Sequence, residues 1–296
     1  MSLVERVRSL LARRAELVGI NCRNVELVYP HNERRHYPIA DDKLLAKRLL
    51  VPAGVPMPET LETCEALFDV PRAVESLRGR DHFVIKPACG GGGEGILVVG
   101  ERIGEDRWRT AGGDTIGVGD LRRHFANIVF GAYSKELEDR AFVERRIEPH
   151  GVFRELWSDG LCDVRVITLR ARPVLAMVRV PTRESAGRAN LHQGGLGLAV
   201  DLQTGRTVRA LHGGERIEKH PETGYPLVGL QLPEWPHLLD VARRAAAAAP
   251  LGYLGVDVVT DRERGPLVLE INARPGLEIQ NVHGRGIRAA IEEAGA

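Results

Sequence analysis

Apolar residues recur at helical spacing in the first half of the chain, and they alternate or run together, as strands do, in the second. Leu3, Val7, Leu10 and Leu11 mark an amphipathic helix at the start. Residues 21–40 (NCRNVELVYPHNERRHYPIA) show little periodicity, so an ordered but irregular arm is expected there. DKLLAKRLL (42–50) reads as a helix, ended by Gly54, Pro56 and Pro58. Residues 71–79 and 119–131 read as two more. From about residue 140 strand signals dominate: RAFVERRI, CDVRVITLR, PVLAMVRVP, GVDVVT and PLVLEIN, with a hairpin at DLQTGRTV. Helices are expected again at 235–249 and 282–294. The pattern predicts an α+β chain with helix and arm over 1–40, a smaller helix-rich lobe over 41–140 and a sheet-rich lobe over 141–296.

Composition narrows the function classes. The 296 residues are 43% hydrophobic and 27% charged, with net charge +1. That balance gives no bulk attraction to nucleic acid or anionic lipid, and no stretch is long and apolar enough for a membrane span. Arginines and glutamates interrupt the apolar residues of the first helix, which therefore reads as a surface helix and not as a signal peptide. Cys22, Cys64, Cys89 and Cys162 are widely spaced and form no CxxC pair. They predict neither a zinc site nor a disulfide framework, and the expected setting is the cytoplasm.

The chemistry concentrates in a few stretches. HFVIKPACGGGGEGILVVG (82–100) sets Lys86 and a run of glycines between two apolar runs. A P-loop would need its lysine after the glycines. Gly90, Gly92 and Gly95 match GxGxxG, but Ile96–Val99 continues as strand where that motif needs a helix. There remain a β-hairpin whose bare backbone folds over a triphosphate and an ordinary flexible turn, and the glycines alone do not decide between them. In PLVLEIN, strict alternation sets Leu267, Leu269 and Ile271 on one face and Val268, Glu270 and Asn272 on the other. With Asp257 on the preceding strand, these are hard oxygen donors suited to Mg²⁺. Asp163 and Arg165 share a strand face, Arg179 follows on the next strand, and the loop after it carries Arg183, Arg188, Asn190 and His192. Forked guanidinium groups of this kind clamp phosphate and carboxylate oxygens. Glu144 sits where the two lobes are expected to join, within reach of an adenine edge.

The order of these motifs resembles the ATP-grasp superfamily and, within it, the RimK-type α-L-glutamate ligases. RANLHQGG, GVDVV and LVLEINARPGLE carry the likeness, and the opening RN…YPHN…RR…YP…DDK resembles the α-L-glutamate ligase-like group. The resemblance implies an ATP-grasp fold of two α+β lobes clasping the nucleotide, without a full additional N-terminal domain. It implies an ATP-dependent carboxylate–amine ligase that works through an acyl phosphate and adds glutamate or another amino acid to an amine or peptide. The alternatives are a non-catalytic nucleotide-binding scaffold and a small-molecule kinase. By resemblance, Lys43, Lys86 and the glycines Gly91, Gly92 and Gly93 contact ATP phosphates. Glu144, Arg145 and Ile147 line the adenine hinge, Asp163 reaches the ribose, and Arg188 and Asn190 lie near the phosphates. Asp257, Glu270 and Asn272 hold two Mg²⁺, with Mn²⁺ as a substitute, and Arg165, Arg179 and Arg274 face the acyl phosphate or the carboxylate substrate. Arg274 stands where glutamate ligases often have serine. The acceptor site is then expected from the 21–40 arm, from a partner protein or from a second copy of the chain. The segment HPETGYPLVGLQLPEW resembles a related, sugar-transfer-associated ATP-grasp group, and reads otherwise as a structural hairpin with Trp235 packed.

Overall fold

The computed structural model describes residues 16–134 and 138–296. The helix expected around Leu3–Leu11 lies outside the described residues. The chain forms two compact units. Among the described residues, a smaller one takes Asp41–Lys47 and Met57–Glu148, and a larger one takes those up to Ala40, Arg48–Pro56 and Pro149–Ala296.

In the smaller unit six strands, β1 (Thr60–Cys64), β2 (Phe83–Pro87), β3 (Leu97–Gly104), β4 (Arg107–Thr110), β5 (Thr115–Gly117) and β6 (Ala141–Glu144), form one sheet in the order β1-β6-β2-β3-β4-β5. Every pairing is antiparallel. β1 carries the polar sequence TLETC, which shows no apolar alternation because the strand lies on an edge of the sheet. The helix Val118–Val129 buries Leu121, Phe125 and Ile128, which recur at one-face spacing. They close over Phe83, Ile85 and Trp108, all fully buried. The helix expected over 71–79 is shorter, Val70–Glu75, and gives way to turns ending at Gly79, whose φ of 79° suits glycine.

The glycine segment is a hairpin loop, as the strand-following reading requires: β2 and β3 pair with Phe83 opposite Val99. Gly92 and Gly93 take φ of 64° and 80°. At Gly95 a Cβ would lie 2.5 Å from the Tyr133 ring. Bare backbone is a steric requirement at these positions.

The larger unit is built on β7 (Asp163–Leu169), β8 (Arg172–Val180), β9 (Leu196–Val200), β10 (Thr207–His212), β11 (Glu215–Ile217), β12 (Tyr253–Asp261) and β13 (Gly265–Asn272). Their order is β11-β10-β9-β8-β7-β12-β13. The expected DLQTGRTV hairpin joins β9 to β10. The helix Trp235–Ala248 packs on β12 and β13. Trp235 is buried and donates its indole N–H to Leu202 O at 2.9 Å. The helix expected over 282–294 is broken into Glu278–His283 and Ile287–Ala294, because Gly284 at φ 67° ends the first and Gly286 precedes the second. Among the described residues no helix is long and apolar enough to cross a membrane.

Two sequence expectations need correction here. The register of β12 and β13 runs from Asp257 opposite Glu270 to Val258 opposite Val268, so Leu269 is an extra, bulged residue. The bulge shifts the alternation by one. Glu270 and Asn272 share the face of Asp257, while Val268 lies on the other face with Val258 and Ile271. The arm is not irregular either. It is a succession of short helical turns, Ile20–Cys22, a π-helical stretch Arg23–Val28, Tyr29–His31, Arg34–His36 and Tyr37–Asp41. Its buried residues, among them Leu27, Val28 and Tyr37, follow no single period, which hid the helicity.

Asn32 fastens this arm to the sheet. Its Nδ2 donates to Tyr253 O at 2.8 Å and Ala273 O at 2.9 Å, and its Oδ1 accepts from Tyr253 N at 2.9 Å. An Asn32→Ala variant leaves three buried backbone groups without partners. It is expected to lose about 3 kcal/mol of stability in urea unfolding, at one to three kcal/mol per orphaned group with partial relaxation. A loss below about 0.5 kcal/mol would show that the arm is held elsewhere.

Candidate functional site

The smaller unit buries a carboxylate between two ammonium groups. Register sets Lys86 opposite Phe142 and Glu144 opposite Val84, so Lys86 and Glu144 share one face of the sheet. Glu144 is 2% exposed. Its Oε2 lies 2.5 Å from Lys86 Nζ and its Oε1 2.6 Å from Lys47 Nζ. Lys47 comes from the helix Lys43–Leu50, whose first N–H groups are capped by Asp42 Oδ1. It also donates to Pro58 O and Thr60 Oγ1 and lies over the Phe142 ring.

Burial alone would raise the Glu144 carboxyl, but Lys86 and Lys47 outweigh it and hold the group below the usual carboxylate range. Burial lowers the Lys47 ammonium, and Glu144 offsets only part of that. Lys47 was not among the residues singled out in the sequence. Its signal was its spacing, four residues after Lys43 and so on the same helical face.

The glycine loop is moored at its first end. Lys43 donates through Nζ to Gly90 O and through its backbone N–H to Ala88 O. Cys89 N–H donates to Asp139, and Arg140 forms an ion pair with Asp42. Arg145 is exposed, pairs with Glu59 and donates its backbone N–H to Glu59 O, and Ile147 is buried. Glu144 thus spends both carboxylate oxygens on lysines.

The larger unit carries a second cluster on one face of its sheet. Asp163 is opposite Arg179 and Arg165 opposite Asp257. Arg165 grips Asp257 with both arms of its fork, Nε–Oδ1 2.8 Å and Nη2–Oδ2 2.7 Å. Arg179 grips Asp163 the same way at 2.6 and 2.7 Å, and its Nη2 also reaches Asp257 Oδ2 at 2.6 Å. Asn272 Nδ2 bridges Asp257 and Glu270 at 3.3 and 3.4 Å. Burial would raise the Asp257 carboxyl, yet Arg165 and Arg179 hold it well below the usual range. For Asp163 burial wins over Arg179 and pushes the group up to about 6. Across the sheet, Gly197 stands opposite Arg179. A Cβ there would lie 2.4 Å from Val282, so the helix Glu278–His283 covers the same face beside the charged cluster.

Asp257, Glu270 and Asn272 come together, and their hard oxygens suit Mg²⁺. Both Asp257 oxygens already accept N–H groups, however. Among the described residues no group of three His, Cys, Asp or Glu side chains is placed to hold a metal ion. An ion at this face would therefore draw on Glu270, on the Asn272 amide oxygen and on oxygens the protein does not supply, as Mg²⁺ does with phosphates. Turning the Asn272 amide over would offer its oxygen where its nitrogen now stands.

Arg188 and Asn190 lie in the loop after β8. Asn190 Oδ1 caps the turn Leu191–Gln193 by accepting from His192 N at 3.0 Å. Arg188 makes no ion pair among the described residues. Arg274 has its guanidinium over the Tyr37 ring, 5.1 Å from the ring centroid.

Glu144→Gln would leave two buried ammonium groups without their counter-ion, and an expected loss of about 3–5 kcal/mol follows at pH 7. Because Glu144 is held below its ordinary value of 4.5, its contribution is present above that pH and disappears as pH falls through the lower folded value. Urea unfolding across pH 3–7 is expected to show a shallower acid-side decline in the variant than in the parent. Parallel curves would remove the ion-pair account.

The model of the sugar-transfer associated ATP-grasp family matches residues 22–296. A probable alpha-L-glutamate ligase of Xanthomonas oryzae pv. oryzae is 27% identical over 253 residues, which is 85% of this chain and 63% of that protein. The chain therefore spans less than two thirds of that relative's length. Among solved structures, a variant of Rhizobium etli pyruvate carboxylase resembles the whole of this chain over 23% of its own, with a TM-score of 0.52 and 17% identity. A RimK domain ATP-grasp protein of Sphaerobacter thermophilus is similar over 89% of this chain and 70% of its own, with a TM-score of 0.47 and 14% identity. Two antiparallel sheets, a glycine hairpin behind Lys86 and the matched family model lead to one conclusion: the chain belongs to the sugar-transfer associated ATP-grasp family.

Proposed function

We propose that this protein is an ATP-dependent carboxylate–amine ligase acting through an acyl phosphate. The observation that carries the reading is the face of the larger sheet, where three acids (Asp163, Asp257, Glu270) and two forked arginines (Arg165, Arg179) converge with Asn272. Such a set can neutralise and orient phosphate and carboxylate oxygens. Membership of the ATP-grasp family and the name of the Xanthomonas relative support the same chemistry.

When bound, ATP with magnesium supplies the phosphoryl group that turns a carboxylate into an acyl phosphate. An amine then attacks the acyl carbon, loses a proton, and phosphate leaves. Phosphoryl transfer depends on positioning and charge neutralisation more than on covalent catalysis, which agrees with a site lacking an evident nucleophile–base pair.

The residues divide the work. Lys86, held in place by Glu144, meets nucleotide phosphate oxygens, and the backbone N–H groups of Gly91, Gly92 and Gly93 add neutral donors. Lys43 fastens that loop through Gly90 O. Arg145 and Ile147 flank the adenine through backbone groups, whereas Glu144 acts on the lysines and not on the base. Glu270 and Asn272 would hold Mg²⁺, with Asp257 joining them where an arginine gives up one of its oxygens, and two ions fit the usual needs of phosphoryl transfer. Arg165 and Arg179 stabilise the charge that develops on the reacting oxygens. Asp163 orients Arg179, and a ribose contact would require that pair to open. Arg188 and Asn190 lie on the loop that brings further donors to phosphate. The acid and the amine are a small-molecule carboxylate and an amine or peptide.

ADP release measured across amino acids and amine acceptors tests this. Glu270→Ala is expected to reduce turnover at least about a hundredfold, with an unchanged unfolding midpoint, as loss of a metal ligand would. Chelation of magnesium should abolish ADP release in the parent. Full turnover in Glu270→Ala would remove the metal assignment, and a stable phosphorylated product without amide would make the protein a kinase.

A further inference from the structure

The arm and the strand end after β13 enclose a cavity of about 370 Å³, lined by Asn24, Tyr29, Arg34, Tyr37 and Arg274. Its size is that of a small-ligand pocket, which runs from roughly 300 to 1,000 Å³. We propose that it is a carboxylate-binding pocket for a molecule the size of one or two amino-acid residues, and that it seats a substrate of the ligase. The second clause rests on the ligase reading, and the first does not.

The lining carries two guanidinium groups and no carboxylate, so the pocket favours an anion. Arg274 lies over the Tyr37 ring with Cζ 5.1 Å from its centroid, a cation–π contact that holds the guanidinium at the pocket. Arg34 makes no ion pair among the described residues. Tyr37 is 9% exposed, and its hydroxyl is buried with no hydrogen-bond partner among the described residues. A buried hydroxyl without a partner is costly and marks a position where a ligand oxygen can complete the bonding.

Asn24 adds a neutral donor. Its Oδ1 is taken by Arg23, which donates from Nε at 3.2 Å and Nη2 at 2.9 Å, while Arg23 Nη1 reaches Pro275 O at 3.0 Å. The Nδ2 of Asn24 is thereby the end of that amide left to donate. Asn24 lies within the π-helical stretch Arg23–Val28, and π-helical turns occur often at functional sites.

A carboxylate fits this donor set better than a phosphate. It is planar, as each fork is, and it accepts from a guanidinium, a phenol and an amide without needing a cluster of like charges. The rings of Tyr29 and Tyr37 provide apolar walls for the attached carbon chain. The NARPG ending supplies Arg274, and the arm supplies everything else, so the arm acts as a substrate-binding element.

The test uses the full chain without nucleotide, titrated with L-glutamate, diglycine or inorganic phosphate and followed by ligand-observed NMR. Saturable binding of at least one carboxylate probe is expected. Arg34→Gln and Tyr37→Phe should each weaken it about tenfold, the effect of losing one charge-assisted or buried hydrogen bond. Tyr37→Phe keeps the ring under Arg274, so its unfolding midpoint should match the parent. Failure of both carboxylates to bind, equal affinity in parent and both variants, or tighter binding of phosphate than of either carboxylate overturns the proposal. Arg34-dependent carboxylate binding in a protein that releases no ADP upholds the pocket and removes the ligase reading alone.

Discussion

A carboxylate taken out of water must be given cations or give up its charge, and this constraint shapes both units. In the smaller one Glu144 is enclosed by Lys47 and Lys86. In the larger one Asp257 is enclosed by Arg165 and Arg179. Each acid costs several kcal/mol to bury alone, and in both places two cations recover most of that. The cations are thereby drawn to the sheet face and stiffened there, which long surface side chains are not. A pair of cations fixed in advance at a buried acid can receive phosphate or carboxylate oxygens with little further ordering.

The sheets make this possible through register. Antiparallel pairing sets Asp163 against Arg179 and Arg165 against Asp257 directly across strands, so each pair is held by backbone hydrogen bonds on both sides. The bulge at Leu269 then turns Glu270 and Asn272 onto the same face. Without that extra residue, Glu270 and Asp257 could share a face only by a different pairing of β12 with β13. Gly197 keeps the neighbouring strand low enough for Val282 to pack beside the cluster. Apolar packing and charge placement are thus set by the same few register choices.

Much of this was legible in the residues. The runs around VITL, VLAMV and VDVV are β-rich and became interior strands, LVLEI became the edge strand β13, and the glycines between two apolar runs became a hairpin loop because a second β run, Ile96–Val99, follows them. Asp163, Arg165, Arg179, Asp257, Glu270 and Asn272 were all visible as polar positions in apolar strands. What stayed hidden depends on tertiary context. β1 is an edge strand and needs no alternation, and a bulge leaves no mark on LVLEI. The arm is helical although its Tyr, Pro and Asn residues argue against it, and the Asn32 side chain docks it on backbone groups of Tyr253 and Ala273, far along the chain. Lys47 carries no local mark of its role beyond its spacing from Lys43, because its partner Glu144 lies far along the chain. The contact of Arg274 with the Tyr37 ring joins residues 237 apart in number and lies outside any local pattern.

The proposed ligase chemistry requires the chain to bind a magnesium nucleotide and to use Lys86 in doing so. Calorimetric titration of the full chain with a non-hydrolysable ATP analogue, with and without magnesium, addresses it directly. The account predicts saturable binding that strengthens with magnesium and falls about tenfold or more in a Lys86→Met variant, as expected for loss of a charge-assisted contact to phosphate. Binding that is indifferent both to magnesium and to Lys86, or no binding in the parent, would contradict it.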